Sequence, residues 1–364
     1  MDTINIGLLL PSSTIFPVGK DFEKGLKEGL TPLRNAGVEV EIAKEFVSNG
    51  DTKLNESAIN KFFNYDDVDL VTGIISNNVV REMADKFREP QKPLLVNNLG
   101  AHIPAIDRLN ECVFFNSPHL WQHAYALGHW GVSTFGKKGM YISSVYDAGY
   151  SFSHMFHEGM MAADPTAQWS FSVPPMPPPG QLSNMDVIFP FLEQYQPDFI
   201  FATFCGGETS LFLNEFVARG WHHKTKVLGL PYLLSPFAPL NADITIYTTQ
   251  LFSNAPQLLP SKAFYHLGLQ TGQNITNAAL KATTNSDLWL QIHSQLNTSN
   301  MFHTGQQHSD TTPVTILQND IKAGETTFTT KPLTQQRAFD LDVEKMRPLT
   351  TGIAAGWNNP YLCI

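Results

Sequence analysis

Residues 4–30 constrain this chain more than any other stretch. Ile4-Asn5-Ile6-Gly7-Leu8-Leu9-Leu10 is an apolar, β-favouring run as long as one strand buried on both faces. It stops at Pro11-Ser12-Ser13-Thr14-Ile15-Phe16-Pro17, a loop with three hydroxyls, an aromatic ring and prolines at both ends. Residues 19–30 then read as a helix, with Phe22, Leu26 and Leu30 on one face and Lys20, Asp21, Glu23, Lys24, Lys27 and Glu28 around them. A strand that runs through a loop into an amphipathic helix opens a helix-covered parallel sheet. In such sheets small molecules sit just outside the carboxyl ends of the strands. The hydroxyl-and-aromatic loop lies at that place.

The same logic recurs down the chain. Strands are predicted at 38–42, 68–74, 93–96 and 112–115, with helices at 55–63 and 79–87 between them. Each later strand ends in a polar turn: Ile75-Ser76-Asn77-Asn78, Asn97-Asn98-Leu99-Gly100-Ala101-His102, and Asn116-Ser117-Pro118. After Ser117 the alternation restarts. Strands are expected at 139–143, 169–173, 198–203, 227–230 and 244–248, and helices at 119–130, 151–163, 185–195 and 209–219. The proline cluster at 174–179 lies between a strand and a helix, so it reads as a stiff loop within one unit. Helices at 263–281 and 287–296 and a strand at 314–317 form no unit of their own and must complete the two earlier ones.

The fold class is therefore α/β: two Rossmann-like lobes with parallel sheets, joined by a multi-strand hinge. The expected lobes are 1–117 plus 252–309 and 118–251 plus 310–364. Crossings are expected near 116–118, 248–254 and 305–313, with a cleft between the strand ends.

Composition narrows the function. A formal charge of −9 with 24 Lys+Arg argues against nucleic acid or an anionic membrane surface as a partner. No run reaches the roughly 18 apolar residues of a membrane span. The first strand begins by Ile4, so any secretory leader would lie outside this sequence. Three scattered cysteines, Cys112, Cys205 and Cys363, make neither a disulfide framework nor a zinc site, and read as buried thiols. His119 and His123, and His154 and His157, have helical spacings that suit zinc, but no third ligand accompanies them, so no metal is expected. Cys205, followed by Gly206-Gly207-Glu208, is the one arrangement that suggests a nucleophile with backbone donors. With no GxSxG, Walker A or GxGxxG pattern and no local histidine partner, no enzyme and no cofactor are expected.

Gly7-Leu8-Leu9-Leu10-Pro11, the serine-rich loop and Val18-Gly19-Lys20-Asp21-Phe22 together resemble the opening of type I periplasmic binding proteins, in particular the branched-chain amino-acid ABC transporter substrate-binding branch. The likeness continues at Gly73-Ile74-Ile75-Ser76-Asn77, Asn97-Asn98-Leu99-Gly100-Ala101, Tyr146-Asp147-Ala148-Gly149-Tyr150 and Pro197-Asp198-Phe199-Ile200, and order and spacing carry it over nearly the whole chain. The resemblance implies that the first lobe holds a ligand carboxylate through Ser13, Thr14, Ser76, Asn77, Asn98 and Gly100, flanked by Phe16, Ile75 and Leu99. It implies aromatic cover from Tyr150, Phe204 and Phe264, with Tyr146, Cys205 and Tyr232 also lining the site. Members that bind amino acids often carry an acid on the loop after the strand at 227–230. This chain has Leu230-Pro231-Tyr232 there, which leaves Glu208 or Asp147 to meet an ammonium.

The implied function is capture of a small solute, an amino acid or a related carboxylate or amide with an apolar or aromatic body. The protein would be a monomer outside the cytoplasm that presents its solute to an ABC permease. The alternatives are a ligand-sensing domain of a receptor or regulator on the same fold, and an α/β enzyme using Cys205.

Overall fold

A computed structural model of the chain describes residues 2–13, 17–234, 238–255, 258–297, 302–303, 313–340 and 343–350. Among them the strands, in chain order, are β1 (Thr3–Leu10), β2 (Glu39–Phe46), β3 (Leu70–Ile74), β4 (Leu94–Asn97), β5 (Val113–Asn116), β6 (Lys138–Ser143) and β7 (Gln168–Ser172). They continue as β8 (Phe199–Thr203), β9 (Lys226–Gly229), β10 (Ile244–Thr249), β11 (Phe302–His303), β12 (Val314–Ile321) and β13 (Phe328–Gln336). The chain divides into two compact units. Unit 1 is Met1–Pro118, Ser261–His308 and Asp342–Ile364, and unit 2 is His119–Pro260 and Ser309–Leu341.

Unit 1 is built on one sheet in the order β11-β5-β4-β3-β1-β2. β1 to β5 are parallel, with Ile6 beside Ile42 on one side and Leu70 on the other. The apolar run at the start of the chain is the reason β1 is central: Ile4, Ile6, Leu8 and Leu9 are fully buried, whereas β2 at the edge alternates between exposed and half-buried residues. Successive crossovers run from β1 to β2 on one side and from β2 back to β3 on the other. The direction therefore reverses between β1 and β3.

Unit 2 repeats the plan in the order β13-β12-β10-β9-β8-β6-β7. β6 to β10 are parallel and the order reverses between β6 and β8. Its core gathers Met140, Ile142, Ile200, Phe204, Phe212 and Phe216, among others.

In each unit the helix after the first strand lies against a longer helix through glycines on both sides. The helix Val18–Gly29 meets Ala263–Ala279: a Cβ on Gly25 would lie 2.0 Å from Tyr265 O, and one on Gly268 would lie 2.1 Å from Phe22 O. The helix Phe152–Ala163 meets Leu120–Phe135 in the same way, through Gly159 against Tyr125 O at 2.0 Å and Gly128 against Phe156 O at 2.1 Å. These distances are far inside van der Waals contact, so only hydrogen at those Cα positions allows the approach.

The structure departs from the expected architecture at its edges. The sheets are not wholly parallel, because β11, β12 and β13 pair antiparallel with β5, β10 and β12. β13 was not expected: its sequence, Phe-Thr-Thr-Lys-Pro-Leu-Thr-Gln-Gln, is mostly exposed and carries a proline, which is tolerated on an edge beside the irregularity at Ile316/Leu317. The helix at 185–195 is a 3-10 turn (Met185–Val187) followed by a short helix (Phe189–Tyr195). The expected lobe boundaries also differ from the two units. Residues 252–260 go with unit 2, where Tyr232 Oη donates to Pro260 O at 3.4 Å. Residues 343–350 go with unit 1, where the Arg347 guanidinium pairs with Asp107 at 3.7 Å.

Candidate functional site

The reversal point of unit 1 is bordered by the turns after β1, β3 and β4. After β1, Ser12 donates through both N–H and Oγ to Ser48 O, at 2.7 and 3.1 Å. Ser13 is half-buried beside it, while Thr14 and Phe16 lie outside the described residues. After β3, buried Ile75 leads to Ser76, whose Oγ accepts from Val79 N at 3.1 Å and caps the helix Asn77–Met83. After β4, Asn98 Nδ2 donates to Ile75 O at 2.9 Å and to Asn77 Oδ1 at 2.7 Å, and its Oδ1 accepts from Gly100 N at 2.9 Å. Gly100 has φ +70°, a left-handed backbone that suits glycine. Asn77 Nδ2 donates to His102 O, 2.6 Å away.

Ile75, Ser76, Asn77, Asn98, Leu99 and Gly100 are thus gathered at adjacent strand ends, as the sequence suggests. The described hydrogen bonds of Ser76, Asn77 and Asn98 tie the turns to one another. A neighbouring residue, not singled out from the sequence, binds them to the core. Asn97 Nδ2 donates to Thr72 Oγ1, Gly73 O and Leu95 O, and its Oδ1 accepts from Asn116 Nδ2 at 3.0 Å and Thr271 Oγ1 at 2.6 Å. Phe264, expected to give aromatic cover, is buried on a helix of unit 1.

The reversal point of unit 2 is bordered by the turns after β6 and β8. β6 ends in Ser143-Ser144, and Ser144 Oγ donates to Asp147 Oδ2 at 2.8 Å while accepting from Asp147 N at 3.2 Å. Tyr146 is half-buried and Tyr150 is buried, with its ring 5.4 Å from that of Phe152. β8 runs into Phe204 and Cys205, both buried, and then into the helix Gly207–Ala218, which carries Glu208 in its first turn. Glu208 Oε1 accepts from Ser183 N at 2.8 Å and Ser183 Oγ at 3.0 Å. Ser183 follows the proline-rich loop, and no local signal in the sequence ties it to Glu208. Burial, with help from the Glu208 charge and against the Ser144 hydrogen bond, pushes the Asp147 carboxyl up to about 7. Burial also raises the nearby Tyr141 phenol, whose oxygen accepts from Thr203 Oγ1 at 2.8 Å.

Two aromatic expectations change here. The Phe204 ring stacks on Phe212 at 4.5 Å and 20° inside the core, because the strand turns directly into a helix whose apolar face receives it. Tyr232 is buried in the 3-10 turn Pro231–Leu234 after β9, with its hydroxyl spent on Pro260 O.

Comparison with known proteins agrees with this arrangement. A family model described as periplasmic binding protein matches residues 3–291. The chain belongs to that family. It is a family of binding proteins, with no reaction to assign to Cys205. Solved structures share the fold at low identity. An ABC transporter substrate-binding protein from Sphaerobacter thermophilus is 16% identical with a TM-score of 0.68, over 93% of this chain and 99% of that one. A solute binding protein from R. palustris in complex with benzoate is 16% identical with a TM-score of 0.65, over 93% and 97%. A leucine binding protein from Thermotoga maritima is 14% identical with a TM-score of 0.61, over 92% and 99%. No curated protein sequence matches the chain.

Proposed function

We propose that the chain is an extracytoplasmic solute-binding protein that delivers a small carboxylate- or amide-bearing solute, an amino acid or a relative of one, to the permease of an ABC importer. The observation that carries this reading is the pair of polar turns bordering a sheet reversal point in each unit of a chain from a binding-protein family. The two kinds of turn differ in chemistry. After β3 the Ser76 hydroxyl, whose oxygen accepts from Val79 N, keeps a proton that suits an anionic or carbonyl oxygen, while the Asn98 amide and the Gly100 N–H hold the neighbouring turns in place. On the loop after β6 the half-buried Tyr146 is the aromatic we assign to an apolar body, since Tyr150, Phe204 and Tyr232 are buried in packing. Structural neighbours that carry benzoate or bind leucine support a solute of that size. The acidic charge of the chain supports a partner other than nucleic acid. Among the described residues no helix is long and apolar enough to cross a membrane.

The test is a thermal-shift screen of amino acids, aromatic carboxylates and short amides on the purified chain. A true solute raises the melting temperature in proportion to the logarithm of its concentration. Native mass spectrometry on freshly purified protein is expected to find such a molecule bound. A flat response across all three classes would falsify the reading.

A further inference from the structure

Among the described residues the two sheets present four edges, β2, β11, β13 and β7, and three of them carry a feature that keeps other strands away. β2 has Glu39, Glu41, Lys44 and Glu45, β11 is two residues long, and β13 has Lys331, Pro332 and the irregularity at Ile316/Leu317. β7 has none of these. Its sequence, Gln168-Trp169-Ser170-Phe171-Ser172, holds no charge, proline or glycine, and among the described strands it pairs with β6 alone. Its large side chains meet solvent, Phe171 at 63% and Trp169 at 37% exposed. They share one face of the strand with ring centroids 6.0 Å apart. On that face the His157 ring of the helix Phe152–Ala163 lies 4.8 Å from the ring of Trp169.

The backbone of this edge is matched by its own copy. Gln168 N donates to Lys137 O at 2.8 Å, so by the alternation of a strand Gln168, Ser170 and Ser172 turn their amides toward β6. The N–H and C=O of Trp169 and Phe171 therefore face outward. Turned about a two-fold axis through Ser170, the N–H and C=O of Trp169 in each copy meet the C=O and N–H of Phe171 in the other. The aromatic rings of both copies then share one face as cross-strand Trp–Phe pairs, and Ser170 stands opposite Ser170. Charge favours the same occupant. Lys137 and Asp164, beside the start of β7, pair with each other. An antiparallel partner sets them against residues 173–182 of the other copy, which carry no charge. Along the paired strands no like charges meet.

We propose that two copies of the chain associate edge to edge through β7, antiparallel and two-fold symmetric about Ser170, with Trp169 of each copy beside Phe171 of the other. The sheet of unit 2 then continues from one copy into the next. An edge of five residues is small beside the roughly 1,200–2,000 Å² of a standard interface, so the pair exchanges with single chains at micromolar concentration. This inference goes beyond the solute-binding reading and does not rest on it, and it replaces the single copy that the resemblance implies.

The experiment is sedimentation velocity on the full chain from nanomolar to high micromolar concentration, with thermal melts alongside. The wild-type chain is expected to pass from one copy to two as concentration rises. Phe171→Lys gives β7 the kind of charge that β2 and β13 carry, and should weaken association roughly ten-fold or more. Its melting temperature at low concentration should match wild type, because the side chain it replaces is exposed. Register is read by crosslinking in a Cys363→Ser background, where the remaining Cys112 and Cys205 are buried. Ser170→Cys should yield a disulfide-linked pair under mild oxidation, since Cα atoms in a non-hydrogen-bonded antiparallel pair lie about 4.5 Å apart. Gln168→Cys, which would face Ser172 of the other copy, should not. The crosslink decides the matter even if the lysine variant does not fold. A wild-type chain that stays single throughout overturns the inference, and slow exchange of the Trp169 and Phe171 amides in it would mean that another segment of the same chain covers the edge. A dimer that Phe171→Lys leaves intact lies elsewhere on the molecule and overturns it as well. A dimer weakened by Phe171→Lys but not linked through Ser170→Cys overturns the two-fold register.

Discussion

The two units solve the same topological problem with opposite polar chemistry. At the reversal point of unit 1 the buried asparagine, serine and threonine side chains are neutral and bond to one another and to the turns: Asn97 alone joins Thr72, Asn116 and Thr271, and Asn98 joins the turns after β3 and β4. At the reversal point of unit 2 they are ionisable and half satisfied, with Asp147 Oδ1 and Glu208 Oε2 left over. A saturated amide network fixes backbone geometry and is costly to break. A half-satisfied pair of buried acids costs stability. One network is satisfied within itself and the other is not.

The largest test of that contrast is Asn97→Ala. It takes the acceptor from Thr271 Oγ1 and one of three from Asn116 Nδ2, removes the amide donor of Thr72 Oγ1, Gly73 O and Leu95 O, and is expected to lower unfolding free energy by about 3–5 kcal/mol in denaturant melts. Asp147→Asn should do the reverse, with a melting temperature equal to or above wild type. If both substitutions destabilise alike, the contrast fails.

The next test is pH. The native Asp147 carboxyl, raised by burial and then by Glu208 to about 7 from 3.8, keeps a proton that the unfolded chain has released. Stability of the empty protein should therefore fall as pH rises from about 4 to 7, by on the order of 3–4 kcal/mol from this group, and level off above that range. The slope should vanish in Asp147→Asn. A wild-type profile that climbs through this window would show that the carboxyl is ionised and paired.

Two smaller effects probe unit 1. Asn98→Ala frees the Ile75 carbonyl and the Gly100 N–H and should cost about 1–3 kcal/mol, with matching loss of solute affinity as the turns loosen. Ser76→Ala removes a helix N-cap and should cost about 1 kcal/mol. If its affinity falls by much more than its stability, the hydroxyl touches the solute directly.

Much of the scaffold is legible in the sequence because buried parallel strands are apolar runs and surface helices show a 3.6-residue stripe. Strand-end turns are legible for the same reason, which is how Ser76, Asn77, Asn98 and Gly100 come to be chosen together. What is not legible is direction. Asn97 and Asn98 are the same residue type in adjacent positions, yet one points into the sheet network and the other into the turn, a difference set by strand phase and pairing partner. Phe204 reads as a wall at a strand end until the following helix supplies Phe212 for it to stack on. β13 carries no periodic signal, since an exposed edge strand gains little from apolar residues.

The glycine-lined helix pairs have a consequence for the order in which the chain can assemble. In unit 2 both helices come from one continuous stretch, 120–163, so their contact can close as soon as that stretch exists. In unit 1 the partners are the chain's first helix and Ala263–Ala279, and the hydrogen bond from Thr276 Oγ1 to Gly29 O spans 247 positions. During synthesis from the N-terminus, β1 to β5 therefore wait for the whole of 119–260 before the face of Val18–Gly29 is covered. The unit encoded first is the one completed last.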